Sequence, residues 1–177
     1  DLNCDYFGTS LHKWLCAPFG TGMLYVKKDK ISKIYPLMAA PDSKSEDIRK
    51  FEHIGTRSIA IEQGIGQAID FHQMIGSQRK EARHRYLKNY WTEKVLKFKG
   101  VTINTPMNPH FSGAIALLAV EGKTPQEVAR YLKNKHQIHS VAIVWENISG
   151  VRITPNVYTL TTDLDRLVKA VKLFVEA

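Results

Sequence analysis

The sequence predicts an α/β protein in two parts, and three observations predict it. The stretch up to about Gly76 is rich in glycine and loop signals and holds short apolar runs bounded by turns. From Ser77 onward, helix-spaced and strand-like segments alternate in the manner of a compact α/β domain. A length of 177 residues is enough for one large domain or two small ones with a sizeable buried core. The expected division is residues 1–76 and 77–177.

In the first part, Asp5-Tyr6-Phe7-Gly8 reads as a short strand leading into Ser10-Leu11-His12-Lys13. Gly20-Thr21-Gly22 reads as a turn, and Met23-Leu24-Tyr25-Val26 as a buried strand. Pro41 to Lys50 is polar and expected to be an exposed loop. A helix fits Ser58 to Ile75, with Ile61, Ile65, Ala68, Ile69 and His72 on one face and Gly76 as its stop. Gly64 and Gly66 inside it each cost up to ~1 kcal/mol relative to alanine, which implies close packing against a neighbour.

The second part opens with a basic helix, Arg79 to Lys99, whose Ala82, Tyr86, Leu87, Tyr90, Trp91 and Val95 have helical spacing. Its basic residues are expected mainly on the opposite, solvated face. A strand follows near Val101-Thr102-Ile103, then a proline-containing loop, then a buried strand over Gly113 to Val120. Thr124-Pro125-Gln126-Glu127 starts the next helix, with threonine as N-cap, proline at N1 and glutamate closing a capping box. Val141 to Val144 and Val151 to Ile153 predict two more strands. Thr162 is expected to cap a last helix that turns Leu164, Leu167, Val168, Val171 and Val175 inward.

The net charge of +8 raises nucleic-acid binding as a question. Much of the excess lies on the basic helix, and neither zinc-finger spacing nor an aromatic RNA-binding signature accompanies it, so no nucleic-acid partner is expected. No apolar run approaches the ~20 residues that span a bilayer, and no membrane partner is expected. Two cysteines, Cys4 and Cys16, make no disulfide framework and point to a reducing, cytoplasmic setting. The chain begins Asp1-Leu2-Asn3 without a methionine or signal peptide, as part of something longer would.

The sharpest local feature is Gly8-Thr9-Ser10-Leu11-His12-Lys13-Trp14-Leu15, followed by Pro18 and Gly20-Thr21-Gly22. A lysine among Phe7, Leu11, Trp14, Leu15 and Phe19 would be desolvated, which favours the neutral, nucleophilic amine. Ser10 and His12 could offer hydrogen bonds to an anion beside it. On chemistry alone, a histidine and a lysine at a strand end are more often surface residues.

Ser-x-His-Lys-Trp after a strand, with Pro-x-Gly-Thr-Gly and an apolar strand behind it, resembles the lysine segment of the class V aminotransferases. That family uses pyridoxal 5'-phosphate (PLP) on fold-type I and includes cysteine desulfurases and isopenicillin N epimerase-like proteins. The resemblance implies that Lys13 forms the Schiff base with PLP and that Ser10 and His12 hydrogen-bond its phosphate. Glu52-His53-Ile54-Gly55-Thr56-Arg57 resembles the segment that reaches the phosphate of the neighbouring subunit, which implies cofactor roles for Gly55 and Thr56 and a homodimer. Val151-Arg152-Ile153-Thr154-Pro155 resembles the segment whose arginine grips the substrate α-carboxylate, a role that falls on Arg152; read alone, Arg152 is equally an ion-paired strand end.

The resemblance implies the end of the PLP-binding large domain in residues 1–76 and a small C-terminal α/β domain in 77–177. The substrate would be an amino acid or related carboxylate, with transamination, epimerisation or elimination as the outcome. The family's aspartate for the pyridine nitrogen and its ring-stacking aromatic are not found in this sequence. The stretch Val144 to Gly150 lacks the late cysteine of desulfurases, so the epimerase-like branch fits best. The alternative is a non-catalytic fragment or dimerisation module without the N-terminal half of the cofactor site.

Overall fold

The computed structural model describes residues 2–176, which form two compact units, one up to Ile75 and one from Gly76 onward. In the first, β1 (Tyr6–Ser10) and β2 (Gly22–Val26) pair antiparallel, with Ser10 opposite Gly22 and Tyr6 opposite Val26. Two 3-10 segments follow, Lys28–Lys33 and Ile48–Phe51, and then helix α1 (Ile59–Ile75). Gly76, at φ +84°, ends that helix in a conformation that glycine adopts without strain.

Of the two glycines inside α1, Gly64 packs against Pro18: a Cβ there would meet its Cγ at 2.6 Å. Gly66 faces open space, so the expectation of close packing fails for it. Strand β2 forms where expected but is not buried. Met23, Leu24 and Tyr25 are exposed and only Val26 is enclosed, because a two-stranded ribbon has no third layer to cover both faces.

The polar loop before α1 is also more tightly held than its composition suggests. Lys50 is buried, and its Nζ donates to the carbonyls of Ile31 at 2.6 Å and Ser43 at 3.0 Å.

The second unit is a four-stranded antiparallel sheet with helices on one face. Its elements are α2 (Ser77–Val95), β3 (Val101–Ile103), β4 (Ala116–Val120), α3 (Pro125–His136), β5 (Val141–Trp145), β6 (Ile148–Ile153) and α4 (Thr161–Val175). The strand order is β3-β4-β6-β5. Leu87, Trp91 and Val95 of α2 pack with Val128 and Leu132 of α3 and with Leu164, Leu167 and Val171 of α4. They cover Val101, Ala116, Leu118, Val120, Val151 and Ile153 of the sheet. Because side chains alternate along a strand, these residues define one face and leave Leu117, Gly150 and Arg152 on the other.

Three expectations need correction here. Lys88 of the basic helix is not solvated: its side chain is buried, and Nζ donates to Ser112 Oγ at 2.7 Å. Burial, and then the neighbouring Arg85 charge, push its pKa down. Strand β4 starts only at Ala116. The last helix begins at Thr161, with the Leu160 N–H donating to the Asp163 carboxylate, so Thr162 lies in the first turn rather than at the cap. Among the described residues, no helix is long and apolar enough to cross a membrane.

The start of α3 has the geometry its sequence demands. Thr124 Oγ1 accepts from the Glu127 N–H at 3.2 Å, and Glu127 Oε2 accepts from the Thr124 N–H at 2.7 Å. Thr124→Ala removes one half of this box and should destabilise the protein by about 1 kcal/mol. The check is a lower urea midpoint with an unchanged slope.

Candidate functional site

Ser10 closes β1, and the hairpin then opens into a loop that is held from within. The Leu11 N–H donates to the Thr21 carbonyl at 3.1 Å, and the Ala17 N–H returns to the Leu11 carbonyl at 3.1 Å. The Cys16 N–H closes a turn on the Lys13 carbonyl at 3.2 Å, with Cys16 at φ +66°. Thr21, which is buried, donates its hydroxyl to the Pro18 carbonyl at 2.7 Å.

His12 Nδ1 lies 3.4 Å from the Thr21 carbonyl, an acceptor only, so Nδ1 carries the proton in this contact and Nε2 is left for another partner. The ring also stands 5.9 Å from that of Phe19. Ser10 at the end of β1 and His12 and Lys13 on the braced loop thus follow one another along a short, well-held segment.

Lys13 itself is exposed, and its amine has no hydrogen bond or ion pair among the described residues. The expected desolvation is not there. Phe7, Trp14 and Phe19 are 40%, 37% and 86% exposed, so the apolar neighbours do not close over the amine. What this segment supplies is an exposed primary amine, with a hydroxyl three residues and an imidazole one residue before it in the chain. That donor set fits an aldehyde with a phosphate arm.

Gly55 and Thr56 lie on the exposed loop between Phe51 and α1. Gly55 has φ +76°, and a Cβ added there would meet nothing within 4 Å. Next to them Arg57 Nε pairs with Glu62 Oε1 at 2.5 Å. Gly20, Thr21 and Gly22 share the lining of a cavity of about 660 Å³ with Glu52, Arg57 and Ser58. Lys13 and Thr56 are not part of that lining.

In the second unit, Arg152 sits in β6 opposite Leu117 of β4 and Val141 of β5. Val151 and Ile153 point into the core, whereas Arg152 is exposed on the face away from the helices. Its guanidinium has no ion pair or hydrogen bond among the described residues, and Glu146, the nearest acid in sequence, does not reach it. Lys88, Lys50 and the Arg85 contacts to the Pro109 and Ser112 carbonyls went unseen in the sequence because their partners are distant backbone or hydroxyl groups.

The family model of class-V aminotransferases matches residues 1–166. The chain belongs to the class-V aminotransferase family. It is 30% identical to an isopenicillin N epimerase of Streptomyces clavuligerus over 96% of its length and 47% of that protein. It is 27% identical to the isopenicillin N epimerase of Amycolatopsis lactamdurans, over 97% of its length and 47% of that protein. A probable cysteine desulfurase of Halalkalibacterium halodurans is also 27% identical, over 97% of this chain and 46% of that one.

The chain thus spans about half the length of the curated relatives it matches. Among solved structures, the apo cysteine desulfurase of Thermococcus onnurineus superposes with a TM-score of 0.84 at 22% identity, over 99% of this chain and 48% of that one. The α/β fold is therefore that of the PLP fold-type I enzymes, and the family and epimerase-like relatives are those the motifs resembled.

Proposed function

We propose that the protein is a PLP-dependent enzyme acting on an amino acid, of the aminotransferase or epimerase type, with Lys13 as the residue that carries the cofactor covalently. The observation that carries this reading is the unpartnered Lys13 amine on the segment it shares with Ser10 and His12, in a chain of this family. Ser10 Oγ and the His12 ring are the groups for the cofactor phosphate. Gly55 and Thr56 serve the phosphate of a neighbouring subunit, so the working form is a homodimer. The left-handed backbone at Gly55 and the open space around it support close approach by a ligand there.

When bound, PLP supplies an electron sink that makes the substrate α-proton removable. Lys13 takes and returns that proton as general base and acid. Arg152 takes the α-carboxylate, for which a fork of parallel N–H donors is suited. The two units correspond in this reading to the end of a large PLP-binding domain, residues 1–76, and a small domain, residues 77–177. Two free cysteines, Cys4 and Cys16, are in keeping with a reducing cytoplasm. Neither stands in the β5–β6 hairpin, which disfavours a desulfurase acting through a cysteine there.

The solvent exposure of Lys13 favours a second reading, a non-catalytic fragment or dimerisation module. One experiment separates the two. The protein is incubated with PLP, reduced with borohydride and digested, and the peptides are mapped. A pyridoxyl group on the Lys13 peptide in near-stoichiometric amount is the expected result. Labelling scattered over surface lysines, with none favoured, supports the non-catalytic reading.

A further inference from the structure

We infer that the helix-free face of the β4–β6–β5 sheet is a binding stripe for a monocarboxylate with an apolar tail, and that Trp145 with Ile148 sets the preference for that tail. This rests on the reading of Arg152 as the carboxylate anchor and extends it to the rest of the substrate. The register defines the stripe. Trp145 pairs with Ile148, Ile143 with Gly150, and Val141 with Arg152. Alternation then puts Arg152, Gly150 and Ile148 of β6, and Val141, Ile143 and Trp145 of β5, on one face. It is the face opposite the residues that pack under α2, α3 and α4.

Each position in this row has a distinct chemical character. Arg152 is an exposed cation without an internal partner among the described residues. Gly150, two residues on, adds no side chain, and it has to be glycine: a Cβ would meet the Leu118 carbonyl oxygen at 2.6 Å and Leu117 Cγ at 2.9 Å. The floor beside the guanidinium is thus the Leu117 side chain, which lies over the buried backbone of Gly150.

At the far end, Trp145 and Ile148 are 68% and 45% exposed, an aromatic and an aliphatic side chain presented together. Asn104 Nδ2 donates to the Ser149 carbonyl at 3.0 Å and braces β6 beside them. Arg152 and Ile148 are four residues apart, about 13 Å along a strand. A ligand with its carboxylate on Arg152 can cross the Leu117 side chain over Gly150 and reach the Trp145–Ile148 pair with a tail about as long as a short alkyl chain ending in a ring. Glu146 follows Trp145 at the turn, so the row runs from cation to acid and disfavours a second carboxylate at the tip. Val144, on the other face of the tip, is exposed as well, and a second copy of the chain is the competing occupant.

The test is a titration of the protein with acetate, 6-phenylhexanoate and adipate, followed by the indole N–H signals in NMR and assigned with Trp145→Phe. Burial of the tail should make 6-phenylhexanoate bind at least about tenfold more tightly than acetate or adipate and should move the Trp145 signal. In Trp145→Ala and, separately, Ile148→Thr, the gain should fall to about threefold or less with acetate binding unchanged.

If acetate binds through Arg152, as shown by its loss in Arg152→Gln, but the tail adds nothing, the stripe is wrong and the anchor stands. If no carboxylate binds and Arg152→Gln changes nothing, the anchor fails and the stripe with it. A Trp145 signal that moves with protein concentration rather than ligand assigns the tip to a second copy and overturns the inference.

Discussion

Lys13→Ala should abolish the borohydride-fixed pyridoxyl group and lower turnover by roughly 10²–10⁴-fold, the usual worth of a positioned acid–base group. The structure makes this a clean substitution. The Lys13 side chain is exposed and makes no hydrogen bond or ion pair among the described residues, so its removal should change stability by no more than about 0.5 kcal/mol. The hairpin loop is held by backbone bonds at Leu11, Cys16 and Ala17 and by Thr21, none of which needs the amine.

Peptide mapping after reduction and a urea titration are therefore read side by side. A reducible adduct persisting in the mutant moves the cofactor lysine elsewhere. The same variant tests the shared-subunit reading of Thr56. Lys13→Ala and Thr56→Ala subunits, once exchange between them is demonstrated, should regain activity in the mixture, because one of two composite sites is intact. A mixture no more active than either parent would remove Thr56 from the neighbour's site.

What could be read from the sequence follows the range of the interactions involved. The Thr124–Glu127 box and the stop at Gly76 are written in adjacent residues, and both formed as read. Ser10, at the end of β1, and His12 and Lys13 on the loop behind it share one segment because they are nearly contiguous. The face on which Arg152 lies follows from strand alternation between Val151 and Ile153.

Burial that depends on a distant partner could not be read in this way. Lys88 looks like one more solvated lysine until Ser112, 24 positions on, is folded against it. Lys13 looked desolvated because its apolar neighbours were counted by proximity in sequence, whereas Phe7, Trp14 and Phe19 stay open on a two-stranded ribbon. The Trp145–Ile148 pair depends on the two-residue turn at Glu146-Asn147, which fixes the register of β5 on β6. A strand prediction that stops at Val144 and resumes at Val151 leaves both residues in a loop.

Arg152→Lys should weaken capture of an α-amino acid by about 1.5–3 kcal/mol, the worth of a hydrogen bond to a charged group, which corresponds to about 10- to 150-fold. The strand fixes where the guanidinium leaves the sheet, because Val151 and Ile153 are locked into the core on either side of it. Lysine keeps the charge and its place in the register with Leu117 and Val141 but presents a point charge in place of a planar fork.

Stability should hardly change, since Arg152 is exposed and breaks no internal ion pair among the described residues when it is replaced. The measurement is the concentration of L-alanine that half-saturates its spectral effect on the PLP-loaded protein, taken beside the PLP content of each variant. A higher half-saturating concentration at equal PLP content is the expected result. Reduced PLP content with unchanged L-alanine response per bound cofactor would make Arg152 a structural residue, and the carboxylate anchor would have to be sought elsewhere on the chain.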